Sequence, residues 1–176
     1  MTVPPFLEHL PVDPRRKLPV PVMNQYATGH DFTAINGERV VKAAQDRTCG
    51  ICGNDLGYWL AFIGGPISYG SRQYADPPMH PECAEASFTL CPHMAIGRAR
   101  RATGNHLMTN ATAPEHFALD KPDMWVMGIT RSYTHTMQPA QGGGVVVVFR
   151  AAPFKSAKAF AYDDTGSLAP CALPTP

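Results

Sequence analysis

Two pairs of potential metal ligands stand out in the sequence, and in each pair two residues separate the ligands. The first pair is Cys49 and Cys52 in the run Cys-Gly-Ile-Cys-Gly, and the second is His80 and Cys83 in the run His-Pro-Glu-Cys. Thiolate sulfur and imidazole nitrogen are the ligands of tetrahedral zinc, and paired spacing of this kind is typical of structural zinc sites. The sequence therefore predicts one Zn²⁺ ion bound by Cys49, Cys52, His80 and Cys83.

The local sequence indicates how each pair could converge on one ion. A tight Cys-x-x-Cys-Gly turn directs both sulfurs to one point, and Gly53 permits the backbone conformation that this turn requires. Pro81 suits the first position of a helix, so His80 and Cys83 are predicted at the N-terminus of a helix over 81–90. The helix dipole at that end favours a thiolate.

Three further potential ligands lie outside the two pairs. Cys91 follows Cys83 by about 12 Å along a helix, so it reaches the same ion only if the helix breaks. We expect Cys91 to pack in the core, although the sequence leaves open that it takes the place of His80. His93 is a weaker ligand candidate, and Cys171, near the end of the sequence, is expected to be a free thiol.

A catalytic zinc ion is the main alternative to a structural one. Zinc deaminases carry His-x-Glu followed by Pro-Cys-x-x-Cys, whereas here the order is reversed and Thr48 precedes Cys49. Zinc hydrolases leave one coordination position open, but four good ligands close the site. A zinc-clamped ββα nuclease needs a histidine in its hairpin, and residues 56–78 contain none. The pattern therefore favours a protein that is not an enzyme.

The segment between the two ligand pairs predicts a β-hairpin. Residues 58–63 are apolar and aromatic, residues 64–66 are a Gly-Gly-Pro turn, and residues 67–74 could form the returning strand. A Cys-x-x-Cys turn, a hairpin and a helix with the second ligand pair follow one another in a treble-clef zinc finger. We therefore predict an α+β fold that contains a treble-clef-like zinc finger.

Further elements are predicted on both sides of this unit. Upstream, residues 31–35 alternate like a short strand and residues 38–47 have helical spacing. Downstream, β-favouring residues recur over 124–135, 145–149 and 155–162. These last segments predict a C-terminal antiparallel β-meander.

Changes in composition along the chain predict five regions. They are an extended proline-rich arm (1–30), a zinc-binding domain (31–96), a polar linker (97–123), a β-rich part packed on that domain (124–162) and a tail (163–176). The sequence leaves open whether the arm lies over the domain or is flexible.

The charge of the chain bears on its partners. Lysine and arginine number 15 and aspartate and glutamate 14, spread evenly, whereas nucleic-acid-binding proteins concentrate positive charge. One short basic run, Arg98, Arg100 and Arg101, offers candidate nucleic-acid contacts. The balance favours a protein partner, with nucleic-acid binding through these arginines as the alternative. Six aromatic residues belong either to the core or to an interface: Tyr58, Trp59, Phe62, Trp125, Tyr133 and Phe149.

The compartment follows from apolar segments and cysteine use. No stretch approaches the roughly 18 to 20 apolar residues of a membrane span, and residues 1–5 lack the features of a secretory signal. In a cytoplasmic protein disulfides are disfavoured, so the paired cysteines are better explained by a metal site. We expect a cytoplasmic protein without membrane association.

The residues around the ligands resemble a family of small, uncharacterised zinc-finger proteins of phages and bacterial mobile elements. The similarity is carried by 49–53, 60–66, 76–84 and 91–92, and upstream by 13–21. It extends only loosely to the C-terminal strands. The resemblance implies the origin and the fold more than an activity. It indicates a phage or mobile-element protein. From the resemblance together with the closed set of zinc ligands and the balanced charge, we predict an interaction or regulatory protein that binds a host or phage protein.

Overall fold

The computed structural model describes residues 3–32, 34–95, 97, 121–139 and 145–175. Within these residues the fold is α+β with antiparallel sheets. The helices are α1 (Gly37–Asp46), α2 (Pro66–Ser71), α3 (Pro81–Leu90) and α4 (Pro92–Ala95). The strands are β1 (Gln25–Tyr26), β2 (Gly29–His30), β3 (Leu60–Gly64), β4 (Gln73–Tyr74), β5 (Met124–Thr130), β6 (Tyr133–Pro139), β7 (Val145–Ala151), β8 (Ser156–Tyr162) and β9 (Leu168–Cys171). Among the described helices, none has the length and apolar character needed to cross a membrane.

The proline-rich N-terminal segment packs on the rest of the fold. It contains two short 3₁₀ turns, Pro5–Leu7 and Val22–Asn24, and the β1–β2 hairpin. An isolated bridge between Val12 and Pro19 closes a loop within it. Four of its apolar side chains are buried in the core: Leu7, Leu10, Val20 and Met23.

Helix α1 confirms the helix predicted over 38–47. The Asn36 side chain accepts hydrogen bonds from the backbone N–H groups of Glu38 and Arg39, and so caps the helix N-terminus. The helix ends at Arg47, whose backbone is left-handed. The strand predicted over 31–35 is not formed by the described residues of that range.

The hairpin predicted between the ligand pairs is wrong. Strand β3 confirms its first half, but its sheet partner is β5. Pro66 stands at the first position of α2, where its fixed φ angle favours helix, and α2 occupies most of the predicted returning strand. Only β4 is extended, and it pairs with β7. The treble-clef arrangement, which requires that hairpin, is therefore not confirmed.

The C-terminal strands belong to two sheets. One sheet has the order β3-β5-β8-β9 and the other has the order β4-β7-β6. The predicted single meander is wrong in its connectivity, because β5 and β6 follow each other in sequence but lie in different sheets. Part of the predicted tail also forms a strand, since β9 pairs with β8.

Strand β3 lies between two hydrophobic clusters. Ala61 and Ile63 belong to the cluster that contains the three buried cysteines. Leu60 and Phe62 belong to the cluster formed with α1 and β7. Both faces of the strand are thus buried, which explains its continuous apolar sequence.

Candidate metal centre

The four residues predicted to bind zinc come together in the structure. Their ligand atoms all lie within 4.8 Å of one another. The Cys52 Sγ atom is 3.4 Å from His80 Nδ1, and Cys83 Sγ is 3.9 Å from the same nitrogen. Cys49, Cys52 and Cys83 are buried and His80 is half-buried. These atoms are close enough to hold a metal ion, and the set of ligands is consistent with zinc.

The first ligand pair lies in a tight turn. The backbone N–H of Gly53 donates to the Cys49 carbonyl oxygen at 2.9 Å, and the N–H of Cys49 donates to the Asn54 carbonyl at 2.8 Å. The Ile51 N–H points to Cys49 Sγ at 3.4 Å. Gly53 has a φ angle of +79°, in the left-handed region, as its place in the predicted turn requires.

Backbone contacts join this turn to the segment that carries the second pair. The Gly50 N–H donates to the Pro78 carbonyl at 3.0 Å. A Cβ atom at residue 50 would lie only 2.8 Å from Pro77 Cγ, so the close approach requires glycine. Ala61 of β3 and Met79 exchange two backbone hydrogen bonds, of 2.8 and 3.0 Å. Strand β3 therefore positions the second pair directly, without the predicted hairpin.

The second pair lies at the N-terminus of α3, as predicted. His80 is the N-cap residue and Cys83 lies in the first turn. The Nε2–H group of His80 donates to the Asp55 carbonyl oxygen at 3.0 Å. This bond leaves the lone pair of Nδ1 directed at the sulfurs, because neutral imidazole carries one proton. The tautomer is therefore the one that can bind a metal through Nδ1.

The three thiols influence one another's ionisation. Hydrogen bonds from Cys52 and then from Cys83 hold the pKa of Cys49 far below its usual range. The pKa of Cys83 is raised, first by its hydrogen bond to Cys49, then by the one to Cys52 and by burial. The pKa of Cys52 is also raised, mainly by its bond to Cys49. A thiolate at Cys49 thus disfavours ionisation of the other two thiols, and a cation between the sulfurs would favour it.

The N-terminal segment completes the surroundings of the centre. The His9 Nε2–H donates to the Cys52 carbonyl at 2.9 Å, and the Val22 N–H donates to the Ile51 carbonyl at 2.9 Å. Leu7 packs in the same hydrophobic cluster as the cysteines. Sequence reasoning missed these contacts, because no spacing pattern connects residues 7–22 to the cysteine turn.

The other candidate residues lie elsewhere. Cys91 and His93 are not part of the cluster that the described residues form. Burial raises the pKa of the Cys91 thiol, and the His93 ring packs edge-on against Trp125 with centroids 5.8 Å apart. Cys171 is an exposed free thiol on β9, as predicted. The arginine run predicted as a nucleic-acid contact, Arg98, Arg100 and Arg101, lies outside the described residues.

Comparisons of this chain with protein-family models, with curated proteins and with solved structures find no match.

Proposed function

We propose that this chain is a zinc-stabilised interaction protein, in which one Zn²⁺ ion holds together a domain that binds another protein. The observation that carries the proposal is the cluster of Cys49, Cys52, His80 and Cys83, whose ligand atoms lie within 4.8 Å of one another. Four protein ligands fill a tetrahedral shell and leave no position for substrate or water. This supports a structural role for the ion.

The composition of the ligand set supports zinc over other divalent metals. Three sulfurs and one imidazole nitrogen favour Zn²⁺, whereas calcium and magnesium prefer oxygen ligands. The elements joined at the centre are short: a turn, a five-residue strand and a ten-residue helix. The helix and the turn that carry the ligands meet mainly at the centre, so metal binding would add directly to their folding free energy.

A protein is the favoured partner of this domain. The chain carries a net charge of +1, and its basic and acidic residues are distributed evenly along the sequence. This gives little of the electrostatic attraction on which nucleic-acid binding depends. The resemblance to zinc-finger proteins of phages and mobile elements makes a host or phage protein the natural kind of partner, and regulation of that partner the natural role.

The purified protein should contain about one equivalent of zinc. The double variant Cys49→Ser, Cys52→Ser should lose the metal and the cooperative thermal transition, because the removed thiolates are half of the ligand set. Elemental analysis measures the zinc, and circular dichroism during heating measures the transition. Cys171→Ser is the matched control, since that thiol is exposed and lies outside the cluster.

Cobalt substitution gives an independent test of the geometry. Co²⁺ in the centre should show the visible absorption of a tetrahedral thiolate complex, and the double variant should not. A metal-free protein with the same melting profile as the purified one would contradict the proposal.

A further inference from the structure

An exposed group of aromatic and arginine side chains lies beside the metal centre. Tyr58 is 66% exposed and Trp59 is 39% exposed. Their rings are nearly perpendicular, at 84°, with centroids 5.1 Å apart. The Arg131 Nη1 group donates to the Tyr58 hydroxyl at 2.8 Å, and its guanidinium carbon lies 5.8 Å from the centre of that ring. With Arg47, these residues are called the aromatic–arginine surface below.

Backbone contacts connect this surface to the metal centre. The loop that carries the two aromatic residues begins at Asp55, whose carbonyl oxygen accepts the hydrogen bond from His80. Asp55 also forms a bridge with Thr48. The Leu56 N–H donates to the Arg47 carbonyl at 3.0 Å, so the end of α1 lies alongside the loop. A metal ion bound by His80 would therefore also hold Asp55, the first residue of this loop, in place.

Both arginines of the surface have charge available for a partner. The Arg47 guanidinium lies over the Tyr133 ring, 4.8 Å from its centroid. Within the part of the chain that the structure describes, neither Arg47 nor Arg131 has a carboxylate at ion-pair distance. Arginine has five N–H donors, and Arg131 uses one of them on Tyr58. The remaining donors suit the paired oxygens of a carboxylate.

We propose that the aromatic–arginine surface binds an acidic segment of a partner protein. An apolar side chain of that segment packs against Tyr58 and Trp59, and its carboxylates accept hydrogen bonds from Arg47 and Arg131. Tryptophan, tyrosine and arginine are the residue types that contribute most of the binding free energy in protein interfaces. This inference rests on the proposed function for the ion that holds the loop and for the protein nature of the partner.

The ring geometry favours a protein segment over single-stranded nucleic acid. Nucleic acid binds such surfaces by stacking successive bases on aromatic faces. The nearly perpendicular rings of Tyr58 and Trp59 do not present two parallel faces on which successive bases could stack. Their exposed apolar surface suits contact with a single aliphatic or aromatic side chain.

Selection from a random-peptide display library, with the zinc-loaded full chain as the target, tests the inference. We expect the selected peptides to combine aspartate or glutamate with an apolar residue. A fluorescently labelled selected peptide should bind the Trp59→Ala variant about 30-fold more weakly. Arg131→Gln should weaken binding about tenfold and reduce its dependence on salt. Ile67→Ala, which changes a 75% exposed side chain on α2, should bind like the unchanged protein.

Further measurements distinguish a peptide partner from nucleic acid and show whether each variant is folded. Zinc content and melting temperature are measured for each variant, and Tyr58→Ala replaces Trp59→Ala if the latter fails to fold. Selected peptides without acidic residues would overturn the inference. So would equal binding by a folded Trp59 or Tyr58 variant, or Trp59-dependent binding of an oligothymidylate in place of peptide.

The two proposals can fail separately. One equivalent of zinc and a normal melting profile, without a preference for acidic peptides, would support the structural role of zinc and contradict the peptide-binding surface. Binding of acidic peptides through Trp59 by a protein that contains no zinc would support the surface and contradict the metal site.

Discussion

At the scale of single residues, Asp13 organises the N-terminal segment. Its side chain accepts hydrogen bonds from the backbone N–H groups of Arg15 and Arg16, at 2.9 and 2.6 Å. Its other oxygen lies 3.0 Å from His30 Nε2. These contacts, chiefly the Arg16 N–H, hold the pKa of Asp13 below its usual range, although burial opposes them. The ionised carboxylate is therefore the form that the fold stabilises.

The lowered pKa of Asp13 predicts a specific acid sensitivity. The stabilisation is complete above the ordinary carboxyl pKa of about 4 and is lost as the pH falls through the lower folded value. Asp13→Asn should therefore melt at a lower temperature than the unchanged protein near neutral pH, and the difference should begin to shrink below about pH 5, at pH values where both proteins still hold their metal ion. Melting curves recorded over this range measure it. Asp164→Asn, at an exposed position, should leave the pH dependence unchanged, and a difference that grows in acid would contradict the prediction.

The sequence predicted which four residues come together, but not their surroundings. Cys49, Cys52, His80 and Cys83 could be grouped because their types and spacing match those of tetrahedral zinc sites. The contact of His9 with the Cys52 carbonyl could not be predicted, since every residue has a backbone carbonyl and the sequence does not show which one His9 contacts.

At the scale of elements, α2 shows why the hairpin prediction failed. The residues of α2 include β-favouring Ile67 and Tyr69, which suggested a strand. The deciding features were Pro66 at the helix start and the pairing of β3 with β5, a partner more than 60 residues away. Local propensity is weak evidence where a distant strand takes the available edge.

The end of α2 gives a prediction about stability. Arg72 and Arg47 both end a helix with a left-handed backbone, at φ angles of +58° and +56°. That conformation costs a side-chain-bearing residue about 1–2 kcal/mol, and glycine loses about 0.5–1 kcal/mol in conformational entropy. Arg72→Gly should therefore raise the free energy of unfolding by up to about 1 kcal/mol, which is about 2–4 °C in melting temperature.

Arg47→Gly is the matched comparison. It relieves the same backbone strain but removes the guanidinium from the Tyr133 ring, a contact of about 0.5–1 kcal/mol. Its gain should be smaller than that of Arg72→Gly in parallel thermal melts. A lower melting temperature for Arg72→Gly than for the unchanged protein would show that this reasoning is wrong.

At the scale of the whole molecule, the proline-rich N-terminal segment belongs to the core. Leu7 is 2% exposed and packs in the cluster that contains the metal-centre cysteines. The sequence predicted an extended path from the prolines, and such a path is compatible with burial of apolar side chains between them. The depth of that burial depends on contacts with distant residues, so the sequence could not reveal it.

A pair of neighbouring substitutions tests this role. Leu7→Ala should lower the free energy of unfolding by about 2–5 kcal/mol, since it leaves a cavity in the core. Phe6→Ala removes a larger side chain that is 38% exposed and should have the smaller effect. Chemical denaturation of the zinc-loaded variants measures both. Equal, small effects would mean that the segment contributes little to folding.

The position of β3 between the two clusters has a consequence for the order of events on the ribosome. All four candidate ligands lie within residues 49–83, whereas the main partner of β3, strand β5, is made some 40 residues later. Until β5 is made, the unpaired edge of the apolar strand β3 makes the nascent chain prone to aggregation. The bonds between Ala61 and Met79, next to His80, pair one residue of the opposite edge. We therefore expect early capture of the ion to hold this pairing in place before β5 is synthesised.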